Sequence, residues 1–143
     1  MPVTTTISQS ETETAAVGRR LAARLSAGSV VLLFGDLGAG KTALVRGLAE
    51  GLGGSAEQVS SPTFTIMQEY RGGPLPLYHV DLYRLNDPRE IDDLGLDEIA
   101  ANGVLAIEWA ERLPSPPADA IRVTLEHSGD TERRVTIENA EMH

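Results

Sequence analysis

The residues with the clearest chemical potential form one run, Gly35 to Thr42, which reads Gly-Asp-Leu-Gly-Ala-Gly-Lys-Thr. This run matches the pattern G-x-x-x-x-G-K-[ST] of a phosphate-binding loop, the P-loop or Walker A motif. In that motif the glycines let backbone N–H groups turn toward phosphates, Lys41 reaches the terminal phosphates, and Thr42 offers its hydroxyl to Mg²⁺. The predicted nucleotide contacts are the loop and the residue after it: Gly35, Asp36, Leu37, Gly38, Ala39, Gly40, Lys41, Thr42 and Ala43.

The use of lysine supports this interpretation of the loop. The sequence contains twelve Lys and Arg residues, and Lys41 is the only Lys among them. An ammonium group is a compact charge on a flexible stem, whereas a guanidinium is a planar fork that fits poorly inside a phosphate loop. We therefore predict that Lys41 binds phosphate and contributes to catalysis.

Two carboxylates are candidates for the remaining chemistry. Asp81 and Glu108 each follow a mostly apolar run of strand length. A P-loop enzyme needs an acidic residue at the end of a neighbouring strand for the metal shell, and a group that positions the attacking water. We predict that Asp81 and Glu108 supply these functions and that Thr42 joins them at the metal. The sequence leaves open which carboxylate does which, and both could instead be solvated strand ends.

Two further residues have two interpretations each, and a third has one. Thr63 lies in the segment Ser-Ser-Pro-Thr-Phe-Thr, which could be a switch ordered by Mg²⁺ or the γ-phosphate, or an ordinary Ser-Pro turn. Trp109 follows Glu108 directly and belongs either to the core or to the site. His79 is interpreted as a structural polar residue, because no other metal-ligating side chain stands at ligand spacing on its strand.

The elements on either side of the loop are those that its mechanism requires. Overlapping capping boxes begin at Ser8 and Ser10, and apolar residues at four-residue spacing follow, so the sequence predicts a helix that Gly28 ends. The run Val30 to Phe34 predicts a strand buried on both faces. A second helix follows the loop and ends at Gly53 and Gly54.

The rest of the chain predicts an α/β fold. Thr63 to Tyr70 and Leu75 to Asp81 read as a hairpin, and a short helix begins at Asp87, with an apolar face that continues past Gly95. Val104 to Ile107 reads as another buried strand, and two strands that alternate apolar and polar residues close the chain after a Pro-rich loop. We predict a single P-loop NTPase domain over residues 1–143, with a central mixed sheet, flanking helices and antiparallel C-terminal strands.

Composition excludes several other functions. With no Cys, disulfides, thiolate zinc sites and cysteine nucleophiles are excluded. The formal net charge of −9 opposes approach to a phosphate backbone, so direct, tight binding of RNA or DNA is disfavoured. No apolar run reaches the roughly 20 residues that a membrane-spanning helix needs, and the polar, Thr-rich start lacks the features of a secretory signal. We expect a cytoplasmic protein that does not interact with membranes.

Taken together, four motifs resemble the TsaE (YjeE) family. They are the loop itself, the Ser-Pro-Thr-Phe-Thr segment, the run His-Val-Asp-Leu-Tyr-Arg-Leu from His79, and the Glu108-Trp109 pair. The resemblance extends from Glu11 to about Glu111. It implies a bacterial ATPase, with ATP/ADP and Mg²⁺ as cofactors, that supports threonylcarbamoylation of the tRNA adenosine beside the anticodon. The implied partners are the proteins TsaB and TsaD.

The resemblance also implies roles for single residues. Lys41 and Thr42 would bind phosphate and Mg²⁺, Thr63 would belong to the switch, and Trp109 would sit beside the nucleotide. Asp81 and Glu108 would serve the metal and hydrolysis. One departure is Ala43, where relatives often carry a second Thr, so no direct role is expected of that side chain.

Two other functions stay open at the level of sequence. A small-molecule kinase uses the same loop but needs a closing, Arg-rich lid, whereas Arg133 and Arg134 lie in a predicted hairpin. A non-hydrolysing ATP sensor would use Asp81 and Glu108 only structurally. A GTPase is disfavoured because no Asn-Lys-x-Asp run occurs.

No obvious arginine finger stands in the chain, so we predict weak hydrolysis without partners. Oligomeric state and the groups that read the base stay open.

Overall fold

The computed structural model describes residues 3–35, 40–54, 67–82, 87–92, 94–113, 117 and 119–138. The strands are β1 (Val3–Ser8), β2 (Val30–Gly35), β3 (Met67–Tyr70), β4 (Leu77–Asp81), β5 (Val104–Glu108), β6 (Ile121–His127) and β7 (Arg133–Glu138). The helices are α1 (Glu11–Ala22), α2 (Lys41–Gly51), α3 (Pro88–Asp92) and α4 (Leu96–Ala100), and a 3₁₀ turn spans Ala110–Arg112.

All seven strands form one mixed sheet in the order β1-β7-β6-β2-β5-β4-β3. The four central strands β6, β2, β5 and β4 are parallel, while β3, β7 and β1 pair antiparallel to their neighbours. The predicted mixed sheet and antiparallel C-terminal strands are confirmed. Strand β1 is not among the predicted strands, because its exposed, Thr-rich residues carry no apolar strand pattern.

The predicted start of α1 is confirmed, and its predicted end is wrong. Ser10 caps the helix by accepting a hydrogen bond from the N–H of Glu13 at 3.1 Å. The helix ends at Ala22, where a tight turn satisfies its last carbonyls, for example through the N–H of Arg24. Gly28 comes later, with φ +94, and its N–H donates to the carbonyl of Gly103 at 2.9 Å.

The predicted hairpin is confirmed, although β4 begins at Leu77 and not at the predicted Leu75. Strand β3 is described only from Met67, so the predicted strand residues 63–66 lie outside the described residues, as does most of the Pro-rich loop, residues 114–116. The apolar face predicted to continue past Gly95 belongs to two helices, α3 and α4, because Gly95 has φ +66 and interrupts the helical backbone.

Each face of the central sheet carries its own core. Helices α1 and α2 cover one face, with core residues such as Leu33 and Leu48, while α3, α4 and the 3₁₀ turn cover the other, around Leu105 and Ile107. Within the described residues, the helices are all too short or too polar to cross a bilayer. The predicted single domain over residues 1–143 stays a prediction.

Helix α2 is held in place by an unusually close approach to α1. A Cβ atom added at Gly47 of α2 would lie 1.9 Å from the carbonyl oxygen of Ala15, and one added at Gly18 of α1 would lie 2.3 Å from that of Leu44. Both contacts are with backbone, which cannot rotate away as a side chain can. The pair of glycines therefore sets the distance between the helices.

We predict that Gly47→Ala destabilises the protein. The added methyl group must push the helices apart, at a net cost of about 2 kcal/mol even after the roughly 1 kcal/mol that Ala gains in helix propensity. Thermal unfolding monitored by circular dichroism should show a melting temperature lower by roughly 5 to 10 °C. Gly129→Ala is the matched control, since its nearest contact would be 3.7 Å away. An equal melting temperature for Gly47→Ala would contradict the prediction.

Candidate functional site

The site begins where the chain passes from β2 into α2. Gly35 ends β2 with φ +141, and a Cβ atom there would lie 2.3 Å from the carbonyl oxygen of Leu125 on β6. Gly40 is the N-cap of α2, with φ +101. Both positions therefore require glycine, which explains two of the motif's residues from the backbone alone. Residues 36–39 of the predicted loop lie outside the described residues.

Lys41 begins α2 and folds back over the start of the loop. Its side chain is 8% exposed, and its Nζ donates to the carbonyl oxygen of Gly35 at 3.2 Å. Across the described part of the chain, no carboxylate lies within ion-pair distance of Lys41. Its positive charge is thus held by a neutral acceptor, so it stays available to attract an anion.

The first turn of α2 adds backbone donors to this charge. Its first intrahelical hydrogen bond runs from the N–H of Leu44 to the carbonyl of Gly40, so the N–H groups of Lys41, Thr42 and Ala43 have no acceptor within the helix. These groups, together with the positive end of the helix dipole, suit a phosphate. Thr42 is partly exposed beside them, whereas the Ala43 methyl is 4% exposed, so Ala43 can offer only its backbone.

The two predicted carboxylates lie together at the C-terminal edge of the sheet. Asp81 and Glu108 are register partners on the parallel strands β4 and β5, so their side chains point to the same face, the one that α2 covers. Glu108 also pairs with Leu33 of β2, two residues before the loop begins. Glu108 is therefore one strand from the loop and Asp81 is two. The structure thus places Lys41 and Thr42 at the start of α2 and Asp81 and Glu108 at the ends of β4 and β5, and Thr63 lies outside the described residues.

Glu108 is buried and bonded to His79. Glu108 is 5% exposed and His79 is 0% exposed, and the Oε2 atom of Glu108 lies 2.5 Å from the Nε2 atom of His79. The sequence prediction that His79 is a structural polar residue did not include this contact, because the partner comes from the neighbouring strand. Aligning the ends of the two strands would have revealed it, since His79 stands two residues before Asp81 on the same face.

Trp109 lies against the site. Its ring is 5.5 Å from the Nζ of Lys41 and 5.3 Å from the guanidinium carbon of Arg112. Trp109 is also the only non-glycine residue with positive φ among the described residues, at φ 59 and ψ 41. Such a conformation is costly for a bulky side chain and is often found at functional sites. The ring of Trp109 packs on the second core and also lies beside the site lysine. It therefore has features of both interpretations, core and site.

A cavity of about 280 Å³ opens beside Gly40. Its walls come from the start of α1, which contributes Ser10 and Thr14, and from the β6–β7 turn, which contributes Thr131 and Arg133. The sequence prediction missed these residues, because they lie far from the loop in the chain and match no motif. Their hydroxyl and guanidinium groups are suited to polar ligand atoms.

The residues present fit a Mg²⁺-nucleotide. No group of three or more His, Asp and Glu side chains converges to hold a metal in the described ranges, so these residues alone do not form a complete cage. Mg²⁺ is usually held by one or two carboxylates, phosphate oxygens and water, and it does not need such a cage. The Thr42 hydroxyl, next to Lys41 in the first turn of α2, and the carboxylates of Asp81 and Glu108 are oxygen donors of the right kind.

Comparison with known proteins agrees with this geometry. The family model described as "Threonylcarbamoyl adenosine biosynthesis protein TsaE" matches residues 8–135. The chain is 47% identical over 126 residues to the tRNA threonylcarbamoyladenosine biosynthesis protein TsaE of Bacillus subtilis, covering 87% of this chain and 78% of that protein. It is 42% identical over 133 residues to the protein of the same name from Treponema pallidum, covering 92% of this chain and 97% of the relative.

A solved structure extends the comparison to the fold. The crystal structure of Bacillus subtilis YdiB superposes with a TM-score of 0.75 at 38% sequence identity. The match covers 95% of this chain and 84% of that chain. The predicted α/β fold and the predicted family resemblance are both confirmed.

Proposed function

Because this chain belongs to the TsaE family of tRNA threonylcarbamoyladenosine biosynthesis proteins, we propose that it is a cytoplasmic, Mg²⁺-dependent ATPase of that pathway. The observation that carries this proposal is one arrangement of charges. A buried lysine at the N-terminus of α2 has no acidic partner among the described residues, and two carboxylates stand on the neighbouring parallel strands at the same sheet edge. This combination binds a polyphosphate and provides groups for its hydrolysis.

The phosphates are held by the start of α2. The free N–H groups of its first turn and the Nζ of Lys41 all carry positive charge, and Lys41 can exchange its bond to the Gly35 carbonyl for one to a phosphate oxygen. The Thr42 hydroxyl, with Asp81 and Glu108, would hold Mg²⁺. When bound, Mg²⁺ supplies charge neutralisation on the phosphate oxygens.

The positions of the two carboxylates suit them to different roles. Glu108 is on the strand beside the loop, is nearly buried, and is oriented by His79, which suits a group that orients a water molecule for attack. Asp81 is half-buried at the next strand end, which suits the metal shell. The proposal therefore gives water positioning chiefly to Glu108 and metal binding chiefly to Asp81.

The nucleoside half of ATP would occupy the cavity beside Gly40. That cavity adjoins the N-cap of α2 and is large enough for a sugar and part of a base. Thr14 only lines this cavity, because it is 1% exposed and its hydroxyl is bonded to the Ser8 hydroxyl and the Ser10 carbonyl. Ser10, Thr131 and Arg133 offer donors and acceptors there. They are our candidates for the groups that read the base, which the sequence left open.

The partners would be TsaB and TsaD, which the family resemblance implies. The net charge of −9 supports contact with the tRNA machinery through proteins rather than through direct binding of RNA. The sequence offers no obvious arginine finger, so a partner that completes the site would accelerate hydrolysis.

We predict weak hydrolysis of Mg-ATP by the pure protein, stimulated at least tenfold by TsaB and TsaD together. Phosphate release measured with and without the partners tests this. Lys41→Ala should abolish the stimulated rate, because it removes the charge at the terminal phosphates. Arg24→Ala is the matched control, since it removes an exposed positive charge beyond the far end of α1. Fast turnover without partners, or stimulation that survives Lys41→Ala, would contradict the proposal.

We predict that Glu108→Gln separates hydrolysis from binding. The amide keeps the size of the side chain and can still accept from His79, but it loses the charge that orients water, so kcat should fall roughly 100-fold. The Kd for ATP, measured by titration calorimetry, should change by no more than about threefold. Glu126→Gln, on the exposed face of β6, is the control. An unchanged kcat would contradict the catalytic role of Glu108.

A further inference from the structure

We infer that His79 is a positioning residue that holds the Glu108 carboxylate in its working orientation through a hydrogen bond from Nε2. The inference rests on the proposed role of Glu108 in hydrolysis and deepens it. His79 touches neither the loop nor Lys41 within hydrogen-bond distance in the described structure, so any effect on the reaction passes through Glu108.

The contact is built by the pairing of β4 with β5. His79 is the register partner of Ala106, and Asp81 is the register partner of Glu108, so all four side chains share one face. Ala106 is small and leaves space through which the Glu108 side chain reaches back to His79. The resulting separation of 2.5 Å between Nε2 and Oε2 places the two atoms in direct hydrogen-bond contact.

The environment assigns the tautomer of His79. The Nδ1 atom is buried without a hydrogen-bond partner among the described residues. A buried N–H group without a partner is more costly than a bare acceptor nitrogen, so the proton is placed on Nε2 and Nδ1 is left as the bare acceptor. His79 then donates to Glu108, which keeps the carboxylate as an acceptor.

The same bond restricts Glu108 to one orientation. With Oε2 bonded to His79, the carboxylate can turn only by breaking a bond that is shielded from water on both sides, since the two side chains are 0% and 6% exposed. The other oxygen, Oε1, is left to act on water or metal. Tyr70 of β3 holds the imidazole in turn, with its ring centroid 6.3 Å from that of His79.

Stability alone does not account for this pair. Buried ionisable pairs are often replaced by apolar residues of similar volume with no loss, or with a gain, of stability. The neighbouring positions Leu77, Val104 and Ala106 on this face of β4 and β5 are apolar, and the one polar neighbour on these two strands, Asp81, lies at the site itself. A polar pair among these residues is therefore expected to serve the site rather than the core.

Two variants separate positioning from packing. The amide nitrogen of Gln reaches the place of the histidine Nε2, whereas that of Asn reaches only the place of Nδ1. We expect His79→Asn to lower kcat roughly 10- to 100-fold, as loss of an orienting partner does at other sites, with the Kd for ATP unchanged. His79→Gln should recover most of that kcat. Circular dichroism melts of both variants establish that each is folded.

A second measurement uses the wild-type protein without ATP. The sequence has three histidines, so the ring nitrogens of the ligand-free protein are resolved in a long-range ¹H–¹⁵N correlation spectrum. We expect one ring with a protonated Nε2, a bare Nδ1 and a strongly downfield Nε2 proton. A His79 ring whose Nε2 carries no proton overturns the inference.

The outcomes distinguish the inference from the function on which it rests. If the wild type hydrolyses ATP and folded His79→Asn has the same kcat, the positioning role of His79 is wrong and the ATPase function stands. An equal loss in the Gln and Asn variants also overturns it, because packing then explains both. Absence of hydrolysis by the wild type, even with partners, overturns the proposed function itself, and the role of His79 in catalysis with it.

Discussion

The parallel pairing of β5 with β2 on one side and β4 on the other is the constraint on which the site depends. It places Glu108 opposite Leu33, just before the loop, and opposite Asp81 at the next strand end. Side chains alternate between the faces of a strand, so a slip of one residue would turn Glu108 away from α2. The polar end of β5 disfavours such a slip, because it would separate the buried Glu108 from His79 and turn its carboxylate toward the apolar second core.

Burial then gives the charged groups their properties. Lys41 and Glu108 are nearly removed from water, yet each has a hydrogen-bonding partner, the Gly35 carbonyl for the lysine and His79 for the carboxylate. Coulomb interactions are stronger where water is excluded, so Lys41 would act more strongly on the proposed polyphosphate than an exposed lysine would. Among the described residues its bonding partner is a neutral oxygen, which leaves its charge uncancelled there.

The surrounding structure compensates for local costs at the site. Trp109 has a left-handed backbone, which costs on the order of 1 kcal/mol or more for a residue with a bulky side chain. Its ring lies near two cations, the Lys41 amine and the Arg112 guanidinium, and contacts of this kind each contribute about 0.5–1 kcal/mol or more. The close packing of α1 on α2 through Gly18 and Gly47 keeps the first turn of α2 in position. Lys41 therefore lies against the strained Trp109 and begins the helix that packs closely on α1.

The sequence by itself determined the phosphate loop, the order of most elements and the candidate carboxylates, because each depends on local patterns. Glycine at Gly35 and Gly40 follows from backbone geometry, and the buried strands follow from continuous apolar runs. Only the tertiary structure decided that Glu108 is nearer the loop than Asp81, that His79 bonds Glu108, and that the start of α1 and the β6–β7 turn share a cavity with Gly40. These facts depend on strand order and on contacts between distant segments, and a local pattern of residues does not encode which strands become neighbours.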